Sequence, residues 1–107
     1  MKNLVVIRGD SETLTLILRD DAGTPLDLTD ADIRFTVEGL LTKNLGDGIV
    51  VDDPLTGSGV ITIAAGDTAS APGRRTAYPY DVQVTLSDET VKTPLRGLFV
   101  VLPDVTR

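Results

Sequence analysis

The chain has 107 residues, enough for one domain with a modest core, and it contains neither cysteine nor histidine. Disulfides, thiolate metal sites, cysteine nucleophiles and the usual neutral-pH general base are thereby excluded. Sixteen Asp and Glu oppose ten Lys and Arg, a net charge of −6, which argues against a nucleic-acid partner because phosphate contacts need an excess of cations.

The first apolar run, Leu4-Val5-Val6-Ile7, is too short for a signal-peptide core, and no apolar stretch approaches a membrane span. The expectation is a soluble protein made in the cytoplasm. The run ends at Arg8-Gly9-Asp10. This tripeptide matches an integrin-binding motif, but a glycine at a bend between two strands, flanked by ordinary charges, explains it more simply. Residues 13–19 read as a strand with Leu14, Leu16 and Leu18 on one face and Thr13, Thr15 and Arg19 on the other; Ile17 breaks the alternation.

Asp20-Asp21-Ala22-Gly23-Thr24-Pro25 is a turn, and residues 26–30 form a corner. Residues 32–38 alternate cleanly, with Ile33, Phe35 and Val37 inward. Residues 44–48 read as a loop, 49–51 as a short strand, 52–59 as a hairpin loop and 60–63 as its return strand. Residues 64–71 allow one helical turn with Asp67 as its N-cap. Residues 78–86 give the strongest strand, with Tyr80, Val82, Val84 and Leu86 on one face. Tyr78 or Tyr80 is placed to form a tyrosine corner, its hydroxyl bonded to upstream backbone. The last strand begins at residues 90–93, is interrupted by Pro94, and resumes over 98–102.

About seven short strands separated by Gly, Pro and Asp clusters predict an all-β fold. The natural packing is an immunoglobulin-like Greek-key sandwich, a single domain over residues 1–107. Two of its strands do not alternate. Leu4-Val5-Val6-Ile7 and Leu98-Phe99-Val100-Val101-Leu102 are apolar on both faces, and a two-layer sandwich covers only one. If the first and last strands lie side by side, Val5, Ile7, Phe99 and Val101, or their alternates Leu4, Val6, Leu98 and Val100, form an outward apolar patch, the candidate interface.

Chemical sites are harder to find. The acidic groups Asp27, Asp30 and Asp32, Asp20 and Asp21, and Asp52 and Asp53 fit turns and a solvated face better than a calcium site, whose loop spacing is missing. A glycosidase carboxylate pair needs a cleft and sugar platforms, yet there is no Trp and only four aromatics. Arg74-Arg75, the only adjacent basic pair, is expected on an exposed loop, either solvated or facing an acidic patch of a partner.

Four stretches carry a family resemblance. They are Ile7-Arg8-Gly9-Asp10 with the strand that follows; the segment from Asp21-Ala22-Gly23-Thr24-Pro25 to Ile33-Arg34-Phe35; Tyr78-Pro79-Tyr80-Asp81-Val82-Gln83-Val84; and Thr93-Pro94-Leu95-Arg96-Gly97-Leu98-Phe99-Val100-Val101. Over nearly its whole length the chain resembles the immunoglobulin-like domain at the N-terminus of tailed-phage baseplate upper proteins, and related small phage virion proteins. The resemblance implies a virion component of the tail or baseplate that joins other virion proteins or copies of itself, with no enzyme activity and no cofactor. The large baseplate proteins continue beyond this domain, whereas this chain stops at Arg107. A free-standing protein or a fragment are both open, and with the former a capsid decoration or head-tail adaptor role. A carbohydrate- or host-surface-binding module is the alternative of a different class.

Overall fold

A computed structural model of the chain describes residues 2–104. Among these residues there are eight strands: β1 (Leu4–Ile7), β2 (Glu12–Ile17), β3 (Asp32–Val37), β4 (Leu41–Leu45), β5 (Gly48–Asp53), β6 (Ser58–Ile63), β7 (Thr76–Thr85) and β8 (Val91–Leu102). Two 3₁₀ turns, Pro54–Thr56 and Ala65–Thr68, are the only helical segments described. The strands form one mixed sheet in the order β1-β8-β7-β3-β4-β5-β6-β2. The sheet folds back on itself, because Leu16, Ile49 and Ile61 from one half line the same small void as Ile33 and Val82 from the other. The fold is all-β and nearly barrel-like.

Period-two patterning decides which faces meet. On β3, Ile33, Phe35 and Val37 are buried, and on β7 so are Tyr80, Val82 and Val84. Register pairs these residues directly, Ile33 with Val84, Phe35 with Val82 and Val37 with Tyr80. Phe35 sits at the centre, its ring 5.6 Å from that of Tyr80 and 6.1 Å from that of Phe99. Full burial of each such side chain contributes roughly 1.5–3 kcal/mol, so this aromatic trio joins β3, β7 and β8 firmly.

Several elements differ from the sequence reading. β4 occupies a stretch with no strand assigned. Its middle is Thr42-Lys43-Asn44, which hides the alternation, and Lys43 stands opposite the inward Phe35. Its ammonium is accommodated there by Asp67 at 2.8 Å. Pro94 does not interrupt the last strand. The β7–β8 register shifts between Val82 and Val84, so Thr93 and Pro94 together face Gln83 in a bulge, where a residue without an N–H is tolerated. The helical turn is a single 3₁₀ turn, and Asp67 lies inside it rather than at its cap. Its carboxylate reaches back to accept the N–H of Ala64 at 2.7 Å.

Candidate interaction surface on the first and last strands

β1 pairs with β8 in parallel, Leu4 opposite Phe99, Val5 opposite Val100, Val6 opposite Val101 and Ile7 opposite Leu102. Paired residues share a face, so this register sorts the expected patch. Val5 and Ile7 point outward, 56% and 41% exposed. Phe99 and Val101 do not join them. They share the inward face with Leu4 and Val6 and are 0% exposed. Their assignment to the interface is corrected accordingly: Val5, Ile7, Phe99 and Val101 belong to opposite faces because the in-register partner of Phe99 is Leu4, not Val5. The outward set draws on both alternatives. Leu98 is 37% exposed, and Val100, outside the core cluster, is 3% exposed between Val5 and Ala77.

A four-residue edge strand has few backbone bonds of its own, and two side-chain clamps hold this one. At its start, the N–H of Lys2 donates to Arg96 O at 3.0 Å and the N–H of Leu98 donates to Asn3 Oδ1 at 3.2 Å. The Tyr80 hydroxyl donates to Lys2 O, and burial pushes its pKa above the ordinary tyrosine value. Tyr80 stands opposite Gly97, and a Cβ at Gly97 would lie 2.1 Å from Lys2 O. Only glycine lets the Lys2 backbone cross here. The hydroxyl does bond upstream backbone, but 78 residues away. It closes the chain's start onto its end and is not the local tyrosine corner expected.

At the other end of β1 the Arg8 guanidinium is a fork. Nε donates to Ala71 O at 2.7 Å, Nη2 to Ala69 O at 3.0 Å, and Nη1 meets Asp104 Oδ1 at 3.2 Å. Gly9, with φ at +84°, turns the chain so that its N–H donates to the buried Thr68 hydroxyl at 2.8 Å. Arg8-Gly9-Asp10 is therefore a structural corner whose arginine is engaged, while Gly9 and Asp10 remain exposed.

The acidic groups build turns. Asp20 accepts the N–H groups of Ala22 and Thr24, Asp27 the N–H and the hydroxyl of Thr29, Asp53 the N–H of Leu55 and Asp88 that of Thr90. Hydrogen bonds from Thr29 and Thr90 hold the carboxyls of Asp27 and Asp88 below the usual range. Among the described residues no group of three or more Asp or Glu is placed to hold a metal ion, and no helix is long and apolar enough to cross a membrane. Besides a hollow of about 350 Å³ between Lys2, Thr93, Pro94, Leu95 and Arg96, two more are large enough to note. One, about 310 Å³, runs along the outer face of β3 and β7 between Arg34, Thr36, Glu38, Asp81 and Gln83. The other, about 410 Å³, lies at the end of the sheet between Leu28, Ala31, Leu45, Val51 and Pro54. Gly97 was the missed signal for the first clamp, since an isolated glycine inside an apolar strand marks a close backbone approach.

No protein-family model matches the chain, and no curated protein sequence matches it significantly.

Proposed function

We propose that the chain is a non-catalytic structural protein of a phage virion, a component of the tail or baseplate that works through contacts with other virion proteins or copies of itself. In this reading the folded-over sheet is an immunoglobulin-like Greek-key sandwich, with β1-β8-β7-β3-β4 as one leaf and β5-β6-β2 as the other. The observation that carries the proposal is the outward row Val5, Ile7 and Leu98, held rigidly by the Lys2 and Arg8 clamps on a pair of strands whose inner faces are already in the core. Rigid exposed aliphatic side chains beside a buried one are the makings of a protein interface. The sequence resemblance supplies the phage setting.

Two experiments test it. Antibodies against the chain should label particles from the strain that encodes it, at one fixed position seen by electron microscopy; unlabelled particles would overturn the virion assignment. Val5→Lys should keep the thermal transition and remove the protein from assembled particles. Normal incorporation of that variant would rule out the β1–β8 face.

A further inference from the structure

The turns at the two ends of the sheet differ in charge. β3 starts where β7 ends, Asp32 opposite Thr85, and this end gathers the corner before β3, the β5–β6 turn and the β7–β8 turn. It carries Asp27, Asp30, Asp52, Asp53, Asp88 and Glu89. Arg19 is on a neighbouring turn, bonded to Gly23 O at 3.1 Å. At this end lies the open 410 Å³ groove, walled by Leu28, Thr29, Ala31, Leu45, Val51 and Pro54, with Asp30 the one acid of its lining. At the far end of β7, ahead of Thr76, Arg74 and Arg75 are exposed. Among the described residues neither guanidinium has a hydrogen bond or ion pair. Ten strand residues separate the two ends, about 30 Å of extended chain.

We propose that this acidic groove is the receptor for the Arg74-Arg75 loop of a second copy, so that copies stack head to tail. Arginine suits such a groove on two counts. Its aliphatic stem covers apolar wall while the guanidinium stays at the wet rim, and its planar fork pairs with carboxylates. Exposed charge pairs alone are weak, which is why the apolar floor matters. Two different patches on opposite ends cannot satisfy each other in a closed two-fold dimer. They propagate, giving a ring or a filament. The proposal extends the reading of the chain as an assembly component, but it uses a surface separate from Val5, Ile7 and Leu98.

The test is solution mass by light scattering and sedimentation, in about 20 mM and about 500 mM salt, conditions that leave and abolish long-range charge attraction. The wild-type chain should exceed its 11.4 kDa monomer mass increasingly with concentration at low salt, and return to monomer at high salt. Asp27→Asn/Asp30→Asn/Asp53→Asn keeps the turn chemistry, since Asn also serves caps and left-handed positions, and should be monomeric. Arg74→Ser/Arg75→Ser should be monomeric too. Mixing the two variants restores one intact contact per pair, so the mixture should stop at a 1:1 dimer. A wild-type monomer in every condition overturns the proposal, as does association that survives either set of substitutions. Association abolished by Val5→Lys alone would overturn it while leaving the β1–β8 interface standing.

Discussion

β1 and β2 both end the sheet, yet they are held by different means. β2 pairs with β6 along all six of its residues, from Glu12 opposite Ile63 to Ile17 opposite Ser58, and its outward Thr13, Thr15 and Ile17 are exposed. Ordinary ladder bonds and alternation suffice there. β1 has four residues on one parallel neighbour, and takes its fixity from contacts distant in sequence, those of Tyr80 and Gly97 with Lys2 and of Arg8 with Ala69, Ala71 and Asp104. A short edge strand with two apolar faces is a liability for unwanted pairing; clamping it gives the outward side chains one defined position.

The largest way to break this comparison is through the core beneath each edge. Phe99→Ala, under β1, should cost about 3–5 kcal/mol, and Leu16→Ala, under β2, about 2–5 kcal/mol, with the lower half of that range expected because Leu16 already borders a void. Urea unfolding midpoints decide it. A Phe99 variant of wild-type stability would mean its side chain is not the core element described.

The clamps come next. Gly97→Ala forces Lys2 off β8 and should cost about 1–3 kcal/mol, since the Tyr80 hydroxyl then loses its acceptor. Tyr80→Phe removes one bond and should cost about 1 kcal/mol. Both should speed proteolysis near the N-terminus, whereas Leu16→Ala should not do so selectively. Equal N-terminal protection in all three would show that β1 is held by its ladder alone.

Much of this architecture was legible in the sequence, and the illegible part has a physical cause. Alternation in residues 32–38 and 78–86 marks β3 and β7 because each has one face in the core. Asp- and Gly-rich turns were readable because their chemistry is local, as the Asp20 and Asp53 side chains show. β4 was hidden because Lys43 takes an inward place beside Leu41, its charge met by Asp67, 24 positions later. The candidate surface was half legible. Two-faced apolar runs announced a patch, but which residues face outward depends on the β1–β8 register, and neither 4–7 nor 98–102 contains a polar residue to betray it. Lys2, Tyr80 and Gly97 form their clamp across the whole length of the chain, a relation that no local pattern carries.

Smaller still is the expected effect of Val5→Lys on stability, under about 1 kcal/mol, because the side chain is more than half exposed. Its value lies in the contrast with Phe99→Ala. One should change assembly without changing the melting temperature, and the other should change both. A Val5 variant that melts far earlier would place Val5 in a structural role.

The smallest effect concerns the bridge that closes the β4 side. Burial raises the pKa of Asp67, but the hydrogen bond from Lys43, the N–H of Ala64 and the Lys43 charge outweigh it and hold the carboxyl below its usual 3.8. A group whose folded pKa is depressed adds stability above the unfolded value and loses it as pH falls through the folded one. Asp67 therefore stabilises the fold at neutral pH, and its contribution begins to fall below the ordinary carboxylate value and is lost as pH drops through the depressed folded one. Asp67→Asn should cost under about 1 kcal/mol at neutral pH, and the difference should shrink as pH falls through the depressed folded value, where the wild-type carboxyl takes up its proton. Asp27 and Asp88 are depressed for a different reason, their turn bonds to Thr29 and Thr90, so the acid limb should flatten without vanishing. Urea titrations across this pH range separate the cases. A constant difference between wild type and variant would mean that Asp67 acts through its packing in the 3₁₀ turn, with the charge of Lys43 satisfied by solvent.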